Sequence, residues 1–528
     1  MKLHAPHSVS RKPVLARNVV ATSQPLATQA GLAALSRGGN AIDAALAAAI
    51  TLTVVEPTMN GLGGDAFALI WDGKKIHGLN GSGRSPSAWT AGRFKHLEKM
   101  PQRGWETVTV PGQVAAWADL SDRFGSLPFA DLFEDAIRHA TDGFPVSPVI
   151  SRQWADAGRE LATQPGFKEF LNSGRAPAAG EIWRFKAQAE TLNEIAKTKG
   201  ASFYHGRLAH SITAFASEHG AALSLADLAS HRTEWVDSIA IDFDDAAVHE
   251  IPPNGQGLAA LIALGILKHL PYADTQPNSA ARAHLEIEAM RCAFEDLYAH
   301  VADPAHMQVT TDQLLDPDYL KSRAQLIGRT AGQYAPGQPQ NSGTVYLCTA
   351  DAQGRMVSYI QSNYSGFGSG VVVPGTGISL HNRGKGFVTT PGHPNQVAGS
   401  KLPMHSIIPA FLTHEKTPMA FGVMGGNMQA QGHVQMVLRY FREDLNPQAC
   451  SDAPRWKIEV DGELLLEPET DAKVVQGLVD LGHKPRLPAA DNLDFGSAQL
   501  IAKLDSESGE SVYAGGSDHR RDGHAGGR

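Results

Sequence analysis

Cysteine is scarce: Cys292, Cys348 and Cys450 are the only three in 528 residues, an odd number in no metal-ligand spacing. That excludes a disulfide framework and points to a reducing, cytoplasmic setting. No run of about 18 apolar residues occurs, so a membrane-spanning helix is not expected. The opening MKLHAPHSVSRKPVLAR has no apolar core, so no secretory signal is read from it. An excess of charge of one sign is lacking too. Lys+Arg number 46 against 54 Asp+Glu, a net charge of −8. This leaves no basic stripe for nucleic acid and no polybasic patch for lipid. No repeat of fixed period is found.

What is present is apolar mass and glycine. Hydrophobic residues make up 42% and charged residues 19%, enough for a large core, and the length fits about three domains or one large α/β body. Glycine numbers 53 and clusters between 332 and 432, where backbone must turn sharply or approach something closely. The chemistry is expected in that stretch.

Periodicity makes the first two-thirds helix-rich. A helix opens at Gln24-Pro25 and stops at Gly38-Gly39. Asn40 caps a second over 41–55, apolar enough to be buried on most sides. Gly61–Gly64 turns the chain into a strand over 66–71. Further helices are read at 111–124, 128–142, 186–199, 203–219, 255–269 and 279–302. Residues 330–343 read as an exposed loop. Strands at 344–350 and 356–361 then flank a turn at Asp351–Gly354, and 406–413 and 419–423 flank Glu415-Lys416. Gly425-Gly426 leads into a helix over 428–441. The expectation is a helical N-terminal part, a flexible joint and a strand-rich C-terminal part, with 517–528 a solvated tail by composition.

Three features could carry chemistry. A cut in Asn341-Ser342-Gly343-Thr344 would make Thr344 an N-terminus. Threonine with a free α-amine is its own nucleophile and base, since that amine has a pKa near 7.7–8.0. The plain alternative is a loop followed by the first residue of a strand. Gly425-Gly426 could hold an oxyanion on successive N–H groups at a helix start, or be only a tight turn. The run Gly366–Gly370 lacks a Gly-Lys-Ser/Thr ending, so it is a weak phosphate loop and reads equally as a mobile loop near substrate. Cys348 has no local base signature, and His381, Arg383 and His405 taken singly read as surface or hydrogen-bonded residues.

Read together, these segments carry a resemblance. GTVYLCTADAQGRMVSYIQSNYSGFGSGVVVPGTGISLHNRG, the KLPMHSIIP stretch, MGG, the upstream SQPLATQAGLAALSRGGNAIDAALAAAITLTVVEPTMNGLGGDAFALIWD and the closing GGSDHRRDG follow in order from about 17 to 523. This resembles the gamma-glutamyltransferase family. The resemblance implies an N-terminal-nucleophile hydrolase with a four-layer αββα fold. It implies self-cleavage between Gly343 and Thr344 into chains 1–343 and 344–528 that stay together as a heterodimer, which could dimerise again. Thr344 becomes the nucleophile, Gly425 and Gly426 the oxyanion donors, and Ser362 the hydroxyl beside the nucleophile. No metal or organic cofactor is implied.

The departures concern the glutamate clamp. The family's Phe-Arg-Glu arginine meets Gly81-Ser82-Gly83, with Arg84 nearby. Its substrate-loop asparagine meets Tyr364, its ammonium-binding aspartate Gly386, one paired serine His405 and a glutamine Arg383. Arg84, Tyr364, Arg383 and His405 would suit a small carboxylate-bearing amide. The branch that fits this is oxamate amidohydrolase, which forms oxalate and ammonia in purine breakdown. A glutathione-directed γ-glutamyl enzyme is the alternative, and a non-catalytic nucleotide- or peptide-binding body a third.

Overall fold

The computed structural model describes residues 11–332, 343–415, 417–489, 492–505 and 509–528. The expected loop over 330–343 and the expected turn at Lys416 therefore lie largely outside the described residues, as do Asn341 and Ser342.

Two seven-stranded antiparallel sheets lie at the centre. The first runs His524–Gly527, Val19–Thr22, Gly343–Ala350, Met356–Tyr364, Asp65–Trp71, Ile76–Gly81, Glu234–Val236. The second runs Val14–Ala16, Tyr513–Ser517, Ser497–Lys503, Met419–Met424, Ala410–Thr413, Ala246–Glu250, Ile239–Phe243. Alternation along a strand sends successive side chains to opposite faces. Val345, Leu347, Val357 and Tyr359 join one core with the helix Ala41–Val55. Tyr346, Cys348 and Ile360 join another with Phe411, Phe421 and Val423 of the second sheet. Tyr346 packs so closely on Gly422 that a Cβ there would lie 2.4 Å from the ring. The result is the four-layer αββα arrangement.

The helical layers follow from sequence. Asn40 Oδ1 accepts from the amides of Ile42 (2.8 Å) and Asp43 (3.1 Å), and Asp43 Oδ2 accepts from the Asn40 amide (2.9 Å), a reciprocal cap. All 15 residues of Ala41–Val55 are buried. Gly257–Leu267 and Met428–Arg442 cover the other sheet, and Ala280–His300 packs on Gly257–Leu267; each fully buried Leu or Ile there contributes about 1.5–3 kcal/mol.

Several sequence readings need correction. The region 203–219 is two helices, Ala201–His205 and Arg207–Glu218, because Gly206 interrupts the backbone pattern. Residues 406–409 stay outside the strand Ala410–Thr413. The division into a helical first part and a stranded second part also fails, since each sheet draws strands from both. The C-terminal segment is not a solvated tail: Tyr513–Ser517 and His524–Gly527 are sheet strands, and Asp518 is fully buried.

Candidate active site

The strand Gly343–Ala350 carries Thr344 on the face between the sheets, fully buried. A register shift between Gly343 and Val345 sets it opposite the end of Met356–Tyr364. Its Oγ1 lies 3.2 Å from Ser362 Oγ and 3.4 Å from Gln429 Nε2, which donates to it. Ser362 Oγ also accepts from the Tyr364 amide at 2.7 Å. This bond holds Tyr364 at φ +76°, a conformation that a bulky residue adopts only under constraint.

Gly425 and Gly426 end the strand Met419–Met424 and precede the helix Met428–Arg442, at φ +129° and +66°. Their carbonyls are tied back: Gly425 O accepts from Met428 N (3.1 Å), and Gly426 O from Gln429 N (3.2 Å) and Gln256 Nε2 (2.7 Å). Their amides donate to no other described group. Two such N–H groups at a helix start, beside the helix turn that touches Thr344, could receive an anion.

A buried polar group stands beside Thr344 and Ser362. Asp65 sits opposite Ser362 across the next strand pair. Its carboxylate lies 3.0 Å from His405 Nε2, 3.4 Å from His381 Nε2 and 3.9 Å from Arg383 Nε, and all four side chains are fully buried. Burial alone would raise the Asp65 carboxyl, but the two imidazoles hold it well below the usual carboxylate range. Burial, with Arg383 close by, pushes His405 down to about 3, so its imidazole is neutral and donates to Asp65. Arg383 stacks over the Tyr364 ring at 4.1 Å and donates through Nη1 to Ser406 Oγ at 3.0 Å. Its Nη2 has no hydrogen-bond partner among the described residues. Burial lowers Arg383 to about 10, still a cation at neutral pH.

A cavity of about 940 Å³ meets the edge of this centre at Gly425 and Lys385; Ser365, Gly366 and Arg103 are among its other lining residues. The Gly366–Gly370 loop is no phosphate cradle, because the Gly366 and Gly368 carbonyls accept from Arg103 Nη1 and Phe367 is anchored among aromatic rings. Cys348 is buried and its thiol is pushed far up by burial, which excludes it as nucleophile.

Of the residues singled out in the sequence, Thr344, Ser362, Tyr364, Arg383 and His405 form one connected group, and Gly425-Gly426 join it through Gln429 and Gln256. Arg84 does not join. Its guanidinium is spent on Asp303 (2.8 Å) and Glu234 (3.3 Å), and it lines a separate recess of about 150 Å³. Asp65, Gln256, Gln429 and Lys385 were missed. Gln256 links the site by bonding the Ser406 and Gly426 carbonyls together. Only the spacing Arg383-Gly384-Lys385 offered a sequence signal for Lys385.

Comparisons with known proteins place the chain in a family. The profile of the family described as gamma-glutamyltranspeptidase matches residues 27–528. The glutathione hydrolase-like YwrD proenzyme of Bacillus subtilis is 35% identical over 96% of this chain and 98% of its own. The oxamate amidohydrolase proenzyme of Klebsiella pneumoniae is 35% identical over 95% and 97%. A crystal structure of cephalosporin acylase from Bacillus halodurans superposes with a TM-score of 0.94 at 45% identity, covering 100% of this chain and 99% of that one. The chain belongs to the gamma-glutamyltranspeptidase family, and is an amidohydrolase of the N-terminal-nucleophile type.

Proposed function

We propose that the chain cuts itself between Gly343 and Thr344 and then hydrolyses a small carboxylate-bearing amide, with oxamate the first candidate. In the uncut chain the Thr344 hydroxyl attacks the Gly343 carbonyl. The C–N bond breaks, an ester forms, and water releases it to leave a free Thr344 amine. In the mature form that amine takes the hydroxyl proton as Oγ1 attacks the substrate carbonyl. The Gly425 and Gly426 amides donate to the oxyanion, the ammonium returns its proton to the departing ammonia, and water hydrolyses the acyl ester.

The observation that carries the substrate class is the buried Arg383 guanidinium, with Nη2 unpartnered beside Tyr364. A buried cation with open donors favours a carboxylate, which gives charge-assisted hydrogen bonds worth about 1.5–3 kcal/mol each. Glycine at 386, where the family's γ-glutamyl enzymes are expected to hold the α-ammonium with an aspartate, argues against a γ-glutamyl substrate. A second reading rests on the cavity. Its roughly 940 Å³ is at the upper end for ligand pockets and would admit a larger acyl group with a terminal carboxylate.

The test compares wild type with Thr344→Ala. Wild type should give two bands and release ammonia from oxamate. Thr344→Ala should give one band and no release; cleavage in that variant would refute the assignment. Release from γ-glutamyl-p-nitroanilide or a glutaryl amide, with none from oxamate, would replace the substrate and leave the chemistry standing.

A further inference from the structure

Remote from the nucleophile, three potential ligands converge. His284 and Glu288 lie one turn apart on the helix Ala280–His300, so they project from the same face. His483 follows the helix Ala472–Asp480 in a turn closed by His483 N donating to Leu478 O (3.0 Å), with Gly482 at φ +88°. One donor atom from each of the three lies within 4.8 Å of the others, and all three residues are buried.

We propose that His284, Glu288 and His483 bind a divalent transition ion of the zinc type as a structural site, outside the catalytic chemistry. Two imidazoles and one carboxylate form a ligand set that suits such an ion. The tautomer of His284 is already set for it. His284 Nε2 faces the Gly328 carbonyl at 3.1 Å, so that nitrogen carries the proton and Nδ1 presents its lone pair. His284 Nδ1 stands 2.8 Å from His483 Nε2. Tetrahedral ligands about 2.1 Å from a metal are about 3.4 Å apart, so the rings need part by only about 0.6 Å. With His284 Nδ1 unprotonated, His483 Nε2 donates to it when no ion is bound, so an ion must displace that proton, which moves to His483 Nδ1, a nitrogen without a hydrogen-bond partner among the described residues. Glu288 Oε2 accepts from Gly332 N at 2.7 Å and Oε1 lies 3.5 Å from Arg291 Nε, which orients the carboxylate. Arg291 is a nearby charge opposing a cation.

The site would pin a strategic place. The stretch 328–332 leads toward the cleavage region, and Ala331 N donates to Leu481 O (2.8 Å) in the same turn that carries His483. His284 and Glu288 precede Thr344 and His483 follows it, so on the proposed cleavage one ion would tie the two chains. The binding itself does not depend on that cleavage.

Untagged full-length protein, stripped with chelator, is titrated with Co²⁺ and then Zn²⁺. Expected are one Co²⁺ per 528 residues with visible ligand-field absorption, displacement by Zn²⁺, and a Tm rise of about 3 °C at saturation. His483→Gln and His284→Ala should lose all three while ammonia release persists. If either variant fails to fold, the wild-type stoichiometry and spectrum still decide. Wild-type protein without stoichiometric binding, or folded variants that bind equally well, would overturn the site. Single-band protein that binds the ion would overturn the cleavage reading alone.

Discussion

Lys385 shows how much a single side chain can depend on its surroundings. It is buried, lines the cavity beside Gly425 and lies 5.3 Å from the Tyr364 ring. Burial, aided by the Arg103 cation, pulls its ammonium down to about 8. Below that pH it is a cation, which under the proposed function assists Arg383 with a substrate carboxylate; above it the charge is gone. KM for a carboxylate-bearing amide should therefore rise as pH climbs through about 8. Lys385→Arg, which stays charged, should flatten that rise, as KM measured from pH 6 to 10 will show. Sequence could not expose this residue or Asp65, because each is a lone polar side chain whose meaning comes from what folds against it. Arg84 shows the converse. Its basic side chain suits a substrate carboxylate by sequence, but Asp303 and Glu234, 219 and 150 residues away, already engage it.

Among the elements, the turn between Met419–Met424 and Met428–Arg442 does the most with the fewest atoms. An alanine at 425 would hold φ +129° against its preference and bring Cβ within 2.9 Å of the Gly496 Cα. Gly425→Ala should rotate the amide away from the oxyanion and lower kcat about 100–1,000-fold with KM little changed, as steady-state ammonia release will report. This element was legible in advance, as were Ala41–Val55 with its Asn40 cap and the paired strands after Thr344. Their signals are local: caps, helical period, a short turn. The strands Tyr513–Ser517 and His524–Gly527 were not legible. Residues 517–528 read as a loose tail, but a Cβ on Gly526 would lie 2.8 Å from Leu32 Cδ1 and one on Gly527 2.6 Å from Ala16 Cβ. Close packing demanded glycine where composition indicated solvent.

At the scale of the whole molecule, the C-terminal segment is locked by charge as well as by sheet pairing. Buried Asp518 accepts from Arg455 Nη2 (2.6 Å), Ala498 N (2.7 Å) and Arg520 N (2.8 Å). Burial opposes its ionisation, but Arg455 and Arg520 hold the carboxyl well below its ordinary range. Its stabilisation is thus complete above the ordinary aspartate value and fades as pH falls toward the native one. Asp518→Ala leaves Arg455 buried without its anion and should cost about 3–5 kcal/mol at pH 7, read from urea melts. The interleaving of early and late strands has one more consequence. Once severed at 343–344, the halves cannot part without tearing both sheets, so dilution will not separate them. After denaturation, however, they must find each other by collision. The uncut precursor should regain its fold at a rate indifferent to concentration, while the matured enzyme, once lost, returns only by a second-order encounter.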